Sequence, residues 1–206
     1  ASAALYKERP ELFASPRTWY WSLPLFNLGR EDVRNYLFQS LRFWNPDGQD
    51  YFRWDSLHHL NEDYIKFLFG ADDSPAKDIW SVGEVLNGDP QVLKKFLDLG
   101  VPAVYNQPLF YCFSEELSSS NGNMQKVADV FAAMFTHLEI HPSRLVNFCE
   151  NHDMTLLRSE SLDRGCSPRG ATDRLKMAIA LTFYLPGIPS IYYTSAKAWC
   201  GKNFGD

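Results

Sequence analysis

Hydrophobic and polar positions along the chain switch repeatedly between a helical and an extended period. From Gly29 the residues Val33, Tyr36, Leu37, Ser40, Leu41 and Trp44 recur at helical spacing, with Glu31 and Asp32 in the first turn where they complement the helix dipole. Asn45-Pro46-Asp47-Gly48 reads as the turn that ends this helix. A strand over 51–55 and an amphipathic stretch over 56–69 follow. Asp78-Ile79-Trp80-Ser81-Val82-Gly83-Glu84-Val85 is an apolar strand that ends in a lone carboxylate. The helix over 89–99 opens on Asp89-Pro90, a cap residue and a helix-starting proline, and stops at Gly100. Val101–Tyr105, Leu145–Glu150 and Ser190–Tyr193 read as further strands, and 124–139 and 171–184 as further helices.

Strands that are apolar almost throughout, alternating with helices, predict a parallel α/β sheet buried on both faces. Residues 1–28 show no sustained period and read as an irregular lead-in, with residues 29–206 as the folded domain. In this arrangement Asp55, Glu84 and His152-Asp153 all fall at carboxyl ends of strands, where parallel sheets and (β/α)8 barrels place their chemistry.

Composition narrows the function without naming it. A formal charge of -5 over 206 residues leaves no basic face for nucleic acid, and no apolar run is long enough to span a membrane. Six Trp and ten Tyr are generous for a core and suit flat, hydroxyl-rich sugar rings. Cys112, Cys149, Cys166 and Cys200 are far apart with no C-x-x-C pair, so they read as mostly buried thiols and indicate no metal site. The first residues, Ala1-Ser2-Ala3-Ala4-Leu5, lack a signal-peptide plan, and the compartment stays unknown.

Arg53 and Asp55 stand two positions apart in a strand and so point to one side. An arginine there holds the carboxylate ionised and oriented, as a nucleophile requires. Glu84, among Val82, Val85 and Leu86, suits a protonated acid, because an apolar setting favours the neutral form. Asp153 adds a third carboxylate and His152 a hydrogen-bond donor. Glycosyl transfer needs such a set: one carboxylate to attack the sugar and one acid to protonate the leaving oxygen.

Tyr51-Phe52-Arg53-Trp54-Asp55 with His59 resembles the fourth-strand signature of the α-amylase family of glycoside hydrolases, family 13. Gly83-Glu84-Val85 is similar to its fifth-strand motif and Glu150-Asn151-His152-Asp153 to its seventh. Val101-Pro102-Ala103-Val104-Tyr105-Asn106-Gln107-Pro108 is similar to its sixth strand, and Leu185–Tyr193 to the run into its eighth. The resemblance implies a (β/α)8 barrel represented by about strands 4 to 8. It also implies a retaining enzyme acting on α-glucosidic bonds of starch-like glucans, maltooligosaccharides or related α-glucosides. Asp55 would be its nucleophile, Glu84 its acid/base and Asp153 the residue holding the distorted sugar. Arg53, His59, His152 and Asn151 would serve substrate binding. No cofactor is required, although a structural calcium is possible in a full-length enzyme.

The chain departs from the family at several places. Tyr51 stands where Gly is usual, His58 where many members have Lys, and Thr194-Ser195-Ala196-Lys197 where Gly and an acidic residue normally follow the eighth strand. No stretch before residue 45 resembles the first three strands; 1–28 resembles at most the tail of an inserted domain, and no C-terminal β-domain follows. Five βα units do not close a barrel of about 250 residues, so the expectation is a fragment of a longer enzyme. Hydrolysis, glucosyl transfer to a sugar acceptor and a non-catalytic carbohydrate-binding remnant all stay open, as does the oligomeric state.

Overall fold

The computed structural model describes residues 2–15, 25–45, 51–70, 72, 74, 76, 77 and 79–201. These fall into two units: Ala1–Phe52 with His59–Trp80, and Arg53–His58 with Ser81–Asp206. Among the described residues no helix is long and apolar enough to cross a membrane.

In the first unit the lead-in is more ordered than its pattern suggests. Helix α1 (Ser2–Glu8) precedes an antiparallel pair, β1 (Phe13–Ser15) with β2 (Leu25–Phe26). Its cement is aromatic: the rings of Tyr6 and Phe13 meet edge to face at 5.5 Å, and Phe13 stacks on Phe26 at 5.2 Å. Contacts between residues far apart in sequence leave no local period, which is why the stretch reads as irregular. Helix α2 (Glu31–Trp44) forms as expected but buries a different stripe. Phe38 is covered together with Val33, whereas Tyr36 and Trp44, expected on the apolar face, are exposed. Phe38 stacks at 4.9 Å on Phe67 of α3 (Glu62–Gly70), and that partner selects the face. The expected turn at 45–48 lies outside the described residues beyond Asn45.

A five-stranded sheet follows, in the order β3 (Phe52–Trp54), β4 (Ser81–Gly83), β5 (Ala103–Tyr105), β6 (Leu145–Asn147) and β7 (Ile188–Pro189). The pairs from β4 to β7 are parallel, with Val82 opposite Ala103, Val104 opposite Leu145 and Val146 opposite Ile188. Phe52 N–H donates to Trp80 O and Glu84 N–H to Trp54 O, so residue numbers rise together across β3 and β4 as well. Central strands β4 and β6 are buried at every residue, as two-sided burial requires.

Strand β7 ends earlier than predicted. Ser190 N–H makes its last ladder bond, to Asn147 O, and Tyr192-Tyr193 turns away as Ser195 N–H bonds back to Tyr192 O. Pro189 is tolerated because β7 is an edge strand of this sheet.

Helices pack outside the sheet. Asp89 caps α4 (Pro90–Asp98) by accepting from Gln91 N–H at 2.9 Å. Helix α5 (Gln107–Cys112) has no counterpart in the sequence reading. The stretch predicted over 124–139 is α6 (Met124–Phe131) widening into a π turn at Ala132–His137. Helix α7 (Leu157–Asp163) was likewise not anticipated. Helix α8 (Pro168–Tyr184) begins a turn before residue 171, because the Ser167 hydroxyl caps it by accepting from Gly170 N–H. Leu109, Phe113, Leu117, Leu157 and Leu175 fill the layer between these helices, together with Cys112 and Cys149. Cys166 is half-buried and Cys200 exposed, so the reading of mostly buried thiols fails at Cys200.

A buried chain of amides ties the carboxyl ends of β5, β6 and the approach to β7. Asn106 Nδ2 donates to Asn147 Oδ1 at 2.8 Å, and Asn147 Nδ2 donates to Pro186 O at 3.0 Å. Gly187 passes so close that any Cβ there would collide with the Asn147 amide. Replacing Asn147 by Ala is expected to cost about 1–3 kcal/mol, since it leaves the fully buried amide of Asn106 without its acceptor. Denaturant unfolding measures it, and a loss within surface-mutation noise would show the chain to be dispensable.

Candidate active site

The ends of β3 and β4 bring the first two predicted carboxylates to one side chain. Arg53, near the middle of β3, donates through Nη1 to Asp55 Oδ1 at 2.5 Å and through Nη2 to Glu84 Oε1 at 2.7 Å. The second Glu84 oxygen accepts from Ser56 N–H at 2.9 Å. Strand β4 comes close enough for this because Gly83 has no side chain; a Cβ there would run into Leu57.

Exposure divides the pair. The Glu84 side chain is 6% exposed and that of Asp55 73%. Glu84 is therefore the fixed partner and Asp55 the one that meets solvent. The sequence reading placed Glu84 in an apolar setting; its flanking residues are apolar, but both carboxyl oxygens receive donors. The backbone alternates, so neighbours in sequence do not surround the side chain. Desolvation opposes the charge on Arg53, but the hydrogen bond to Asp55 and the charges of Glu84 and Asp55 outweigh it and hold the guanidinium above its ordinary pKa.

A concave pocket of about 190 Å³ opens beside this cluster in the second unit. Arg53, Glu84, Asn151 and His152 line it. Asp55 and Asp153 stand outside that lining. Asn151 builds the bend after β6 by accepting from Asp153 N–H at 3.1 Å and Met154 N–H at 2.9 Å. His152 Nε2 lies 3.2 Å from Asp153 Oδ2. His59 belongs to the first unit, in the 3-10 turn Leu57–His59. Among the described residues no group of three or more His, Cys, Asp or Glu side chains is placed to hold a metal ion.

The structure adds pocket residues to which no role was given from sequence: Gln107 at the start of α5, Glu150 after β6, and Tyr192 after β7. All three sit inside quoted motifs, and their strand-end position was the available signal. Glu150 is 3% exposed and accepts from Leu157 N–H at 2.9 Å and from the Ser195 hydroxyl. Ser195 belongs to the segment that departs from the family pattern, so its hydroxyl joins the loop after β7 to the loop after β6.

Comparison with known proteins assigns the family. The model of the α-amylase catalytic domain matches residues 16–201. The chain belongs to the α-amylase family. An α-amylase of Saccharomycopsis fibuligera is 27% identical over 154 residues, covering 75% of this chain and 28% of that relative. A cyclomaltodextrin glucanotransferase of Paenibacillus macerans is 21% identical over 190 residues, covering 89% and 25%. Among solved structures, an Anoxybacillus α-amylase superposes with a TM-score of 0.86 at 22% identity, over 99% of this chain and 47% of that one. The α-amylase of Geobacillus thermoleovorans in complex with acarbose gives 0.82 at 22% identity, over 97% and 47%. This α-amylase-family chain thus spans about a quarter of those curated relatives and just under half of those solved chains. The fold class expected from the sequence, part of a (β/α)8 barrel, stands.

Burial pushes the Glu150 carboxyl above its ordinary value of 4.5, against the pull of the Ser195 and Leu157 hydrogen bonds. Because the folded pKa is raised, the stability it contributes is complete below 4.5 and is lost as pH rises through the folded pKa. In Glu150→Gln an amide can accept from Leu157 and donate to Ser195, and this loss is expected to vanish. Denaturant midpoints measured against pH should diverge between wild type and variant in that window; parallel curves would contradict it.

Proposed function

We propose that the protein is, or is part of, a retaining glycosidase that cleaves α-glucosidic bonds in starch-like glucans or related α-glucosides. The observation that carries this reading is the single guanidinium of Arg53 bonded to both Asp55 and Glu84. Two carboxyls bonded to the two ends of one guanidinium are near enough to flank one glycosidic bond, and the retaining assignment follows the resemblance to the α-amylase family. The more exposed of them, Asp55, is free to approach a sugar.

In the first step Asp55 Oδ attacks the anomeric carbon while Glu84 gives a proton to the departing glycosidic oxygen, leaving a glycosyl ester on Asp55. In the second, Glu84 takes a proton from water as that water attacks the same carbon and releases Asp55. Arg53 aims Asp55 and, once Glu84 carries its proton, turns its full charge to the nucleophile. Asn151 and His152 offer an amide and a ring N–H to sugar hydroxyls, and Asp153 grips hydroxyls of the distorted ring. Glucosyl transfer is the second reading, supported by the similarity to a cyclomaltodextrin glucanotransferase. It shares the first step and replaces water by a sugar hydroxyl in the second.

Glu84→Gln in the protein as its organism makes it is expected to cut turnover of a maltooligosaccharide by roughly 10²- to 10⁴-fold with binding largely kept. Proton NMR of fresh product is expected to show retained anomeric configuration. Unchanged turnover would sink the assignment of Glu84, and inverted product the retaining mechanism. Product analysis with added glucose as acceptor separates hydrolysis from transfer.

A further inference from the structure

Gln107 is the one pocket residue whose chemistry is visibly incomplete. It lines the pocket together with Glu84 and Tyr105, it is 1% exposed, and its buried amide Nε2 has no hydrogen-bond partner among the described residues. A buried N–H without an acceptor costs about 1–3 kcal/mol, so such a group is kept only where something else offsets it.

Its backbone is anchored on both sides. Asn106, immediately before it, donates its own N–H to Val146 O at 2.9 Å. The Asn106 side chain accepts from Leu109 N–H at 3.2 Å while giving Nδ2 to Asn147. Pro108 follows in the first turn of α5. The amide of Gln107 therefore projects from a base that is fixed by a cap, a proline and a buried amide chain, which is how a site presents a donor without paying to order it. Phe148, stacked at 4.9 Å on Phe110 and meeting Tyr105 edge to face at 5.5 Å, supplies apolar wall and no acceptor in its side chain. No acceptor for the Gln107 amide is in reach among the described residues, which leaves that place to a group from outside the protein.

We infer that Gln107 is a specificity-determining residue of this site: its unpaired side-chain amide donates to a hydroxyl of the bound glucosyl unit, directly or through one water. The inference rests on the glycosidase reading above. A site built to hydrogen-bond a hydroxyl penalises the analogue that lacks it, because the buried donor is then left unpaired again. Gln107 thereby makes the pocket discriminate between sugars by one hydroxyl, and it acts on binding and not on proton transfer.

The test is calorimetric binding of maltotriose and its monodeoxy analogues to the intact protein, in wild type and in Gln107→Met, which keeps length and volume but removes the donor. Wild type is expected to lose about fivefold to tenfold in affinity for one particular deoxy analogue. Gln107→Met is expected to bind maltotriose weaker by a similar factor, to lose the discrimination against that analogue, and to melt no lower than wild type. A deoxy series on wild type in which no single hydroxyl matters overturns the inference without any variant. So does a Gln107→Met protein that binds and discriminates as wild type does. No binding of maltotriose by wild type overturns the glycosidase reading and this inference together, whereas binding with an indifferent Gln107 leaves the former standing.

Discussion

One cation shared by two carboxylates organises the carboxyl ends of β3 and β4. Arg53 reaches Asp55 along its own strand and Glu84 on the next strand, so β3 and β4 must lie side by side, parallel and in one register. Gly83 permits the approach, and Ser56 N–H takes up the remaining Glu84 oxygen. A carboxylate buried as deeply as Glu84 would be costly without these donors. The same geometry leaves Asp55 mostly in solvent.

A second polar arrangement joins the strands that follow. The amides of Asn106 and Asn147 and the carbonyl of Pro186 link three successive strand ends, while the layers on either side are apolar. Buried polar chains of this kind are tolerated when every member finds a partner, and they then fix one arrangement. Glu150, between Leu157 and Ser195, extends the principle to the loops above. Against this satisfied background the unpaired amide of Gln107 stands out. The parallel sheet supplies precision at its carboxyl end, and loops from different strands supply the functional groups.

How much was legible depended on how local the cause was. Arg53 and Asp55 could be paired from the strand period alone, and Glu84 and Asn151-His152 stood out as polar residues closing apolar strands. Helix α4 was readable because Asp89-Pro90 is a local start signal. Helix α5 was not, since its cap, Asn106, looks like the end of a strand until Asn147 is beside it. The buried face of α2 was misplaced because Phe67, far along the chain, decides whether Phe38 or Tyr36 is covered.

By itself the sequence determined the α/β alternation, the family and which carboxylates close which strands, because each of these is written in contiguous residues. Only the tertiary structure decided that Glu84 is paired and not merely buried among apolar neighbours, that β7 stops at Pro189, and that Gln107 and Glu150 share the pocket. Those facts concern the environment of side chains. Such environments are built by elements distant in sequence, and no pattern along a single strand or helix encodes them.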